Sequence, residues 1–222
     1  MTAVLQKHAL TGINYDVLNE IGRSGINLAI WHRQQEAALA RLCTDIAAKH
    51  DNDLCLYIDP EKSDVTIPMA LAGTGWGCET RLKPLANDVI RAVQIFARLT
   101  GDYRLHVDLS VIRTDACRYF HVDNVGLRLL CSYAGPGTEW LDNANVVRAA
   151  LGLGDNKAVL RDPARIHHMP TGLIGILKGE RYPGNDGNGI VHRSAPILRC
   201  AGRRLLLRID QPGPHLPPAE PT

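Results

Sequence analysis

The chain has 222 residues, 45% of them apolar, enough for one medium-sized domain with a substantial core. Its 25 basic and 23 acidic residues leave a net charge of +2, which excludes a polybasic nucleic-acid arm and an acidic solvating tail. No apolar run reaches the length of a transmembrane span, and the opening MTAVLQKHALTGINYD lacks the basic-then-apolar plan of a signal peptide, so the expected compartment is the cytoplasm.

Taken in chain order, the first hundred residues read as mainly helical. From Asn27 to His50, Ala38, Leu42 and Ile46 recur at intervals of four beside Leu39 and Cys43, which predicts one long amphipathic helix. Leu54 to Ile58 is a short strand candidate, followed by a loop with AGTGWG at 72–77. A second helix is expected from Pro84 to Thr100, with proline in the first turn, Val89, Val93, Phe96 and Leu99 along one side, and Gly101 as C-terminal cap.

The period then changes. In Tyr103 to Ile112, Leu105, Val107, Leu109 and Val111 alternate with Arg104, His106, Asp108 and Ser110, the pattern of a half-buried strand. Shorter apolar runs follow at Leu127–Tyr133, Leu173–Leu177, Ile190–His192 and Leu205–Ile209, separated by the turn-forming stretches AGPGT (134–138) and PGNDGNG (183–189). Residues 211–222 hold five of the 13 prolines and read as a disordered tail. Helices followed by many short strands predict an α+β fold with a sandwich or small barrel as its core.

Six cysteines, at 43, 55, 78, 117, 131 and 200, form no CxxC pair, so a compact all-cysteine zinc site is not expected. The strongest chemical signal is His121-Val122-Asp123 together with His192. In an extended segment an HxD spacing puts both side chains on one side. Two imidazoles and a carboxylate can occupy one face of an octahedral metal and leave the other open, the ligand set of non-haem Fe(II) oxygenases. His106-Val107-Asp108 is a second HVD, but it lies mid-strand and reads as cross-strand polar decoration; the neighbouring His167 and His168 would point to opposite faces of a strand. AGTGWG lacks the parallel-strand unit of a dinucleotide site, GNDGNG lacks a P-loop lysine, Lys178 and Glu180 read as a solvated strand end or pocket rim, and Ser132 and Ser194 lack a nucleophile elbow. Residues 161–210 carry nine basic and four acidic side chains around His192, and with 5% aromatics a small anion fits that excess better than a nucleic acid.

Residues 103–210 resemble the double-stranded β-helix dioxygenases that use Fe(II) and 2-oxoglutarate, especially the prolyl-hydroxylase-like branch. The resemblance rests on RYFHVDNVGLRLLCSYAGPGTEW, MPTGLIGILKGE and GIVHRSAPILRCAGRRLLL. It implies a metal held by His121, Asp123 and His192, and a cosubstrate site drawing on Arg128, Tyr133 and either Arg203 or Arg204. An arginine there has a physical reason, because a guanidinium binds the far carboxylate of a dicarboxylate through two hydrogen bonds. Over nearly its full length the chain also resembles the family catalogued as domain of unknown function 1826, through NLAIWHR, CRYFHVDNVGLRLLC, YAGPGTEW, LKGE and VHRSAP. That likeness implies a bacterial cytoplasmic protein whose relatives can sit near zinc-handling genes.

The expectation is therefore a single domain over 1–210, with a mainly helical part (1–102) layered on a cupin-like β-helix core (103–210). It would be an Fe(II)- and 2-oxoglutarate-dependent oxygenase acting on an unspecified substrate. The alternative is a non-catalytic zinc or divalent-metal protein on the same scaffold, which would need a fourth ligand such as Cys117 or Cys131.

Overall fold

A computed structural model describes residues 8–115, 117–197 and 202–212, and among these, runs of alternating or uniformly apolar residues fold into ten strands. The described chain passes through β1 (Ala9–Gly12), a 3-10 turn (Tyr15–Gly22), β2 (Leu28–Trp31), α1 (Ala37–Lys49), β3 (Leu54–Ile58), α2 (Ser63–Ala72) and α3 (Glu79–Thr100). It continues through β4 (Leu105–Ile112), β5 (Leu127–Ala134), β6 (Thr138–Leu141), α4 (Asn156–Val159), β7 (His167–His168), β8 (Ile174–Lys178), β9 (Val191–Ser194) and β10 (Arg204–Asp210).

Seven strands form one sheet in the order β1-β2-β8-β5-β10-β4-β3, and three form a second in the order β7-β6-β9. Every named pairing is antiparallel except β1 with β2. The strand period of two sorts the large sheet's side chains into two cores. Leu105, Val107, Leu109 and Val111 of β4, Leu129, Cys131 and Tyr133 of β5, and Leu205, Leu207 and Ile209 of β10 pack against α1, α2 and α3. On the opposite face Leu28, Ile30, Leu130 and Leu177 meet Trp140, Met169 and Ile190, so the small sheet lies across the large one. A third cluster, with Phe120, Leu141, Val146, Val159 and Val191, covers the small sheet's outer side. The molecule is thus a mixed α+β protein: helices, large sheet, small sheet, covering loop.

Some local expectations change. The predicted helix over 27–50 begins only at Ala37, because Leu28–Trp31 pairs with β1 and β8 instead. All four residues of β2 are buried, and a run buried on both faces carries no alternation to mark it as a strand. The second helix starts at Glu79 and carries Pro84 inside it, whereas Gly101 caps it in the left-handed conformation (φ 71°) as its spacing predicts. The N-terminal hundred residues therefore supply three strands of the large sheet as well as the helical layer. Of the predicted tail, Gln211 is held by hydrogen bonds to Leu127 N (2.8 Å) and Asp102 Oδ2 (2.9 Å), while 213–222 lie outside the described residues. No helix among the described residues is long and apolar enough to cross a membrane.

Candidate metal centre

The mid-chain HVD reaches His192 through the backbone. His121 and His192 form an isolated antiparallel bridge, each amide donating to the other's carbonyl at 3.0 Å. Directly opposed residues project to the same side, and the two imidazoles lie with centroids 4.6 Å apart. Asp123 follows in a turn closed against the end of β8: Glu180 N donates to Asp123 O (2.8 Å), Arg181 N to Val125 O (3.0 Å) and Gly179 N to Gly126 O (2.9 Å). Gly179 is what permits this approach, since a Cβ there would collide with Val125 O and sit 2.6 Å from Asp123 O. Gly189 plays the same part on the other flank, where a Cβ would strike Val122 Cγ1. Neither glycine stands out in the sequence as part of a site; LKGE at 177–180 was the available signal.

The ligand atoms of His121, Asp123 and His192 all lie within 4.8 Å of one another. His192 Nε2 is 3.1 Å from Asp123 Oδ2, and His121 Nε2 is 3.5 Å from Asp123 Oδ1. Each imidazole turns its Nδ1 toward a backbone carbonyl, Tyr119 O at 2.8 Å and Ile190 O at 3.2 Å. A carbonyl only accepts, so each Nδ1 carries a hydrogen toward it and each Nε2 is left facing the carboxylate. Asp123 Oδ2 is buried and its nearest polar neighbour is His192 Nε2, a placement that suits two ligand atoms of one metal. The residues present therefore fit a divalent metal held by two imidazoles and one carboxylate.

Arg128 holds the carboxylate in place. Its Nη1 reaches Asp123 Oδ1 at 2.6 Å, while Nε and Nη2 form a bidentate pair with Asp210 at 2.6 and 2.8 Å. Asp210 stands opposite Arg128 in the β5–β10 register. Burial works against the Asp123 carboxylate, but the imidazoles of His192 and His121 and the Arg128 guanidinium outweigh it and hold its pKa far below the usual carboxylate range. Burial likewise opposes a charged His121 ring, and the facing Asp123 carboxylate more than offsets that, leaving its pKa raised.

The two candidate arginines go to opposite sides of the sheet. Arg203 faces the helices and donates to Ala48 O and His50 O (both 2.9 Å) and pairs with Asp51. Arg204 is 1% exposed and faces the metal side, where its Nη2 donates to Ser194 Oγ at 2.6 Å. Its Nε and Nη1 have no partner among the described residues. Burial pushes its pKa down to about 10. Arg204, Ser194, Cys117, Ser110 and Arg113 line a cavity of about 320 Å³, and Ser194 is two residues from His192 on β9. Tyr133, expected near the cosubstrate, points to the helix face by strand parity and donates to Asp88 Oδ2 at 2.6 Å, beside the Arg33–Asp88 pair. Strand parity therefore moves Arg203 and Tyr133 away from the cluster, and the arrangement of Arg128 is that of a brace.

The remaining candidates stay apart from the cluster. His106 lies 3.0 Å from Cys55 Sγ, and Asp108 pairs with Arg208 at 2.6 Å. His167 bonds Asp142 at 2.7 Å and stacks on Trp140, whereas His168 is 3.7 Å from Glu139. Lys178 is buried, its Nζ donating to Arg23 O at 3.0 Å, so it is neither a pocket rim nor a solvated strand end. Cys131 is buried on the helix face near Arg33.

Fold and site together define a mixed α+β protein with a His-Asp-His cluster between a large and a small sheet. Residues 13–210 match the family described as "Protein of unknown function (DUF1826)", and the chain belongs to that family. Among solved structures it is similar to a Pseudomonas putida prolyl-4-hydroxylase (13% identity, 89% of this chain and 98% of that chain, TM-score 0.44). It is also similar to a dioxygenase for auxin oxidation from Arabidopsis thaliana in complex with 2-oxoglutarate (14%, 82% and 74%, 0.38). A third is the Fe(II)/α-ketoglutarate-dependent dioxygenase TqaL (10%, 79% and 75%, 0.42). No curated protein matches the chain.

Proposed function

We propose that this protein is an Fe(II)- and 2-oxoglutarate-dependent oxygenase on a double-stranded β-helix core, hydroxylating an organic substrate. The observation that carries the reading is the convergence of the His121 and His192 imidazoles and the Asp123 carboxylate, whose ligand atoms all lie within 4.8 Å of one another. His121, His192 and Asp123 would hold Fe(II), which when bound supplies the redox chemistry that couples oxygen to oxidative decarboxylation of a 2-oxoacid. Arg128 keeps Asp123 ionised and fixes its orientation. Arg204 offers two free guanidinium nitrogens to the far carboxylate of 2-oxoglutarate, with Ser194 Oγ beside it. At a guanidinium as buried as that of Arg204 such a charge-assisted pair is worth more than at the surface.

The zinc alternative calls for a closed four-ligand shell. Among the described residues no fourth His, Cys, Asp or Glu joins the cluster, Cys131 faces the helices and Cys117 lines the Arg204 cavity. This donor set favours the open iron site.

Anaerobic titration of the apoprotein with Fe(II) and then 2-oxoglutarate tests the reading. The expected result is the visible charge-transfer band of an Fe(II)–2-oxoacid chelate, followed by succinate release on admitting oxygen, both lost in His121→Ala. Undiminished metal binding in a His121→Ala/Asp123→Ala protein would overturn the site; metal binding with no affinity for 2-oxoglutarate would overturn the oxygenase.

A further inference from the structure

The cavity that holds Arg204 also holds a thiol. Cys117 is exposed and lines this cavity with Arg204 and Ser194. It is the only non-glycine residue with positive φ (53°) among the described residues, and its carbonyl accepts from Ser194 N at 3.1 Å, so the turn is tied to the end of β9. In the same cavity Arg204 is 1% exposed, and its Nε and Nη1 have no partner among the described residues. Cys43 and Cys131 are buried, and the other exposed described cysteines, Cys55 and Cys78, are not among the residues lining this cavity.

We propose that Cys117 is a redox-modification site at which small carboxylate-bearing disulfides, of the glutathione type, form a mixed disulfide that closes the anion cavity. The inference rests on the anion site of the proposed oxygenase and adds a regulatory device to it. The incoming disulfide docks a carboxylate on Arg204, as a dicarboxylate cosubstrate would, and this holds its sulfur beside Cys117. Cys117 Sγ, as thiolate, attacks one sulfur of the disulfide. The old S–S bond breaks as the new one forms, and the departing thiolate takes up the proton that Cys117 released. Cys117 is oxidised to the mixed disulfide and half of the incoming disulfide is reduced to a thiol. The retained half occupies the cavity with its carboxylate on Arg204, and excess thiol reverses the exchange.

A charge series on the wild-type chain tests this without any substitution. Full-length protein is treated with oxidised glutathione, with the diacid 3,3′-dithiodipropionate or with neutral 2-hydroxyethyl disulfide, and adducts are quantified by peptide mass spectrometry. With Cys55 and Cys78 as internal references, the two anionic reagents are expected to favour Cys117 by on the order of tenfold over the neutral one, and high salt to erode that preference. Arg204→Lys retains much of the preference, Arg204→Gln loses it, and 2-oxoglutarate protects Cys117 from both anionic reagents. A charge-blind rate at Cys117, or the same anionic preference at Cys55 and Cys78, overturns the proposal. Direct 2-oxoglutarate binding separates the two readings. If it binds while Cys117 is charge-blind, the switch alone fails; if it does not bind while labelling still depends on Arg204, the oxygenase fails and the switch stands.

Discussion

Asp123 has two carboxylate oxygens with different fates. Oδ1 is taken by Arg128, and Oδ2 is left for the imidazole side. Arg128 in turn pairs with both Asp123 and Asp210 in a place where its own side chain is only 14% exposed. Removing one partner of such a set leaves the others buried and uncompensated, so Arg128→Leu is expected to cost about 3–5 kcal/mol, read as a lower urea midpoint at unchanged m-value. Gly179 acts through the backbone. Gly179→Ala touches no ligand, yet its methyl must displace the turn that carries Asp123. The expected outcome is a metal affinity weaker by roughly 10- to 100-fold, the scale of an outer-shell defect, with strain of about 1–3 kcal/mol from overpacking. Calorimetric titration with Fe(II) under anaerobic conditions, beside an unfolding curve, separates the two effects.

Strand β10 links the helical core to the site. It is paired on both sides, to β4 and to β5. Leu205, Leu207 and Ile209 point to the helices, while Arg204 and Asp210 stand near its two ends on the other face, one at the cavity it lines with Ser194 and one under Arg128. A cavity under this strand should therefore be felt twice. Leu207 is fully buried, and Leu207→Ala is expected to cost about 2–5 kcal/mol and to weaken 2-oxoglutarate binding without removing any group that would contact it. If denaturation shows the loss but cosubstrate affinity is untouched, β10 does not transmit packing to the site. The β6–β9 pair has the matching task on the small sheet: it sets Trp140 opposite His192, while His121 bridges His192 from the other side.

Two sheets that meet over a shared core must be held in register, and two groups spanning them respond to solution conditions. The first is the candidate metal cluster, which draws on the mid-chain turn and on β9. A ligand that binds only the folded state stabilises it by about 2.7 kcal/mol at a hundred times its Kd. Saturating Fe(II) or a redox-inert divalent surrogate should therefore raise the unfolding midpoint, a chelator should reverse the gain, and His121→Ala/Asp123→Ala should show neither effect. The second is His8, whose carbonyl accepts from Asn27 N (2.7 Å) and Leu28 N (3.2 Å) of the large sheet while its ring lies against Trp140 and Asp142 of the small one. Burial lowers its pKa below 6.5, against the pull of Asp142. The folded state then binds fewer protons than the unfolded one below about pH 6.5, and stability is lost as pH falls from there toward the depressed folded value. In His8→Phe the loss between pH 7 and pH 5 should be smaller than in wild type; an unchanged pH dependence would show that His8 carries none of it.

Local chemistry was readable from the residues wherever one neighbour or one period settles it. Alternation in 105–111 marked β4, Gly101 marked the end of α3, and the HVD with His192 marked the cluster, although Asp123 reaches it from a turn and not from extended chain. Side selection among adjacent arginines was not readable, since a one-residue step reverses the face and nothing in the Arg203-Arg204 pair says which residue begins the strand. The same holds for Tyr133, for the all-buried strand 28–31 that periodicity assigns to a helix, and for Gly179 and Gly189, whose value lies in what approaches them from elsewhere in the chain. Burial of a guanidinium, the approach of two backbones and the bridging of residues 121 and 192 depend on contacts between distant segments, and those exist only once the two sheets have closed on each other.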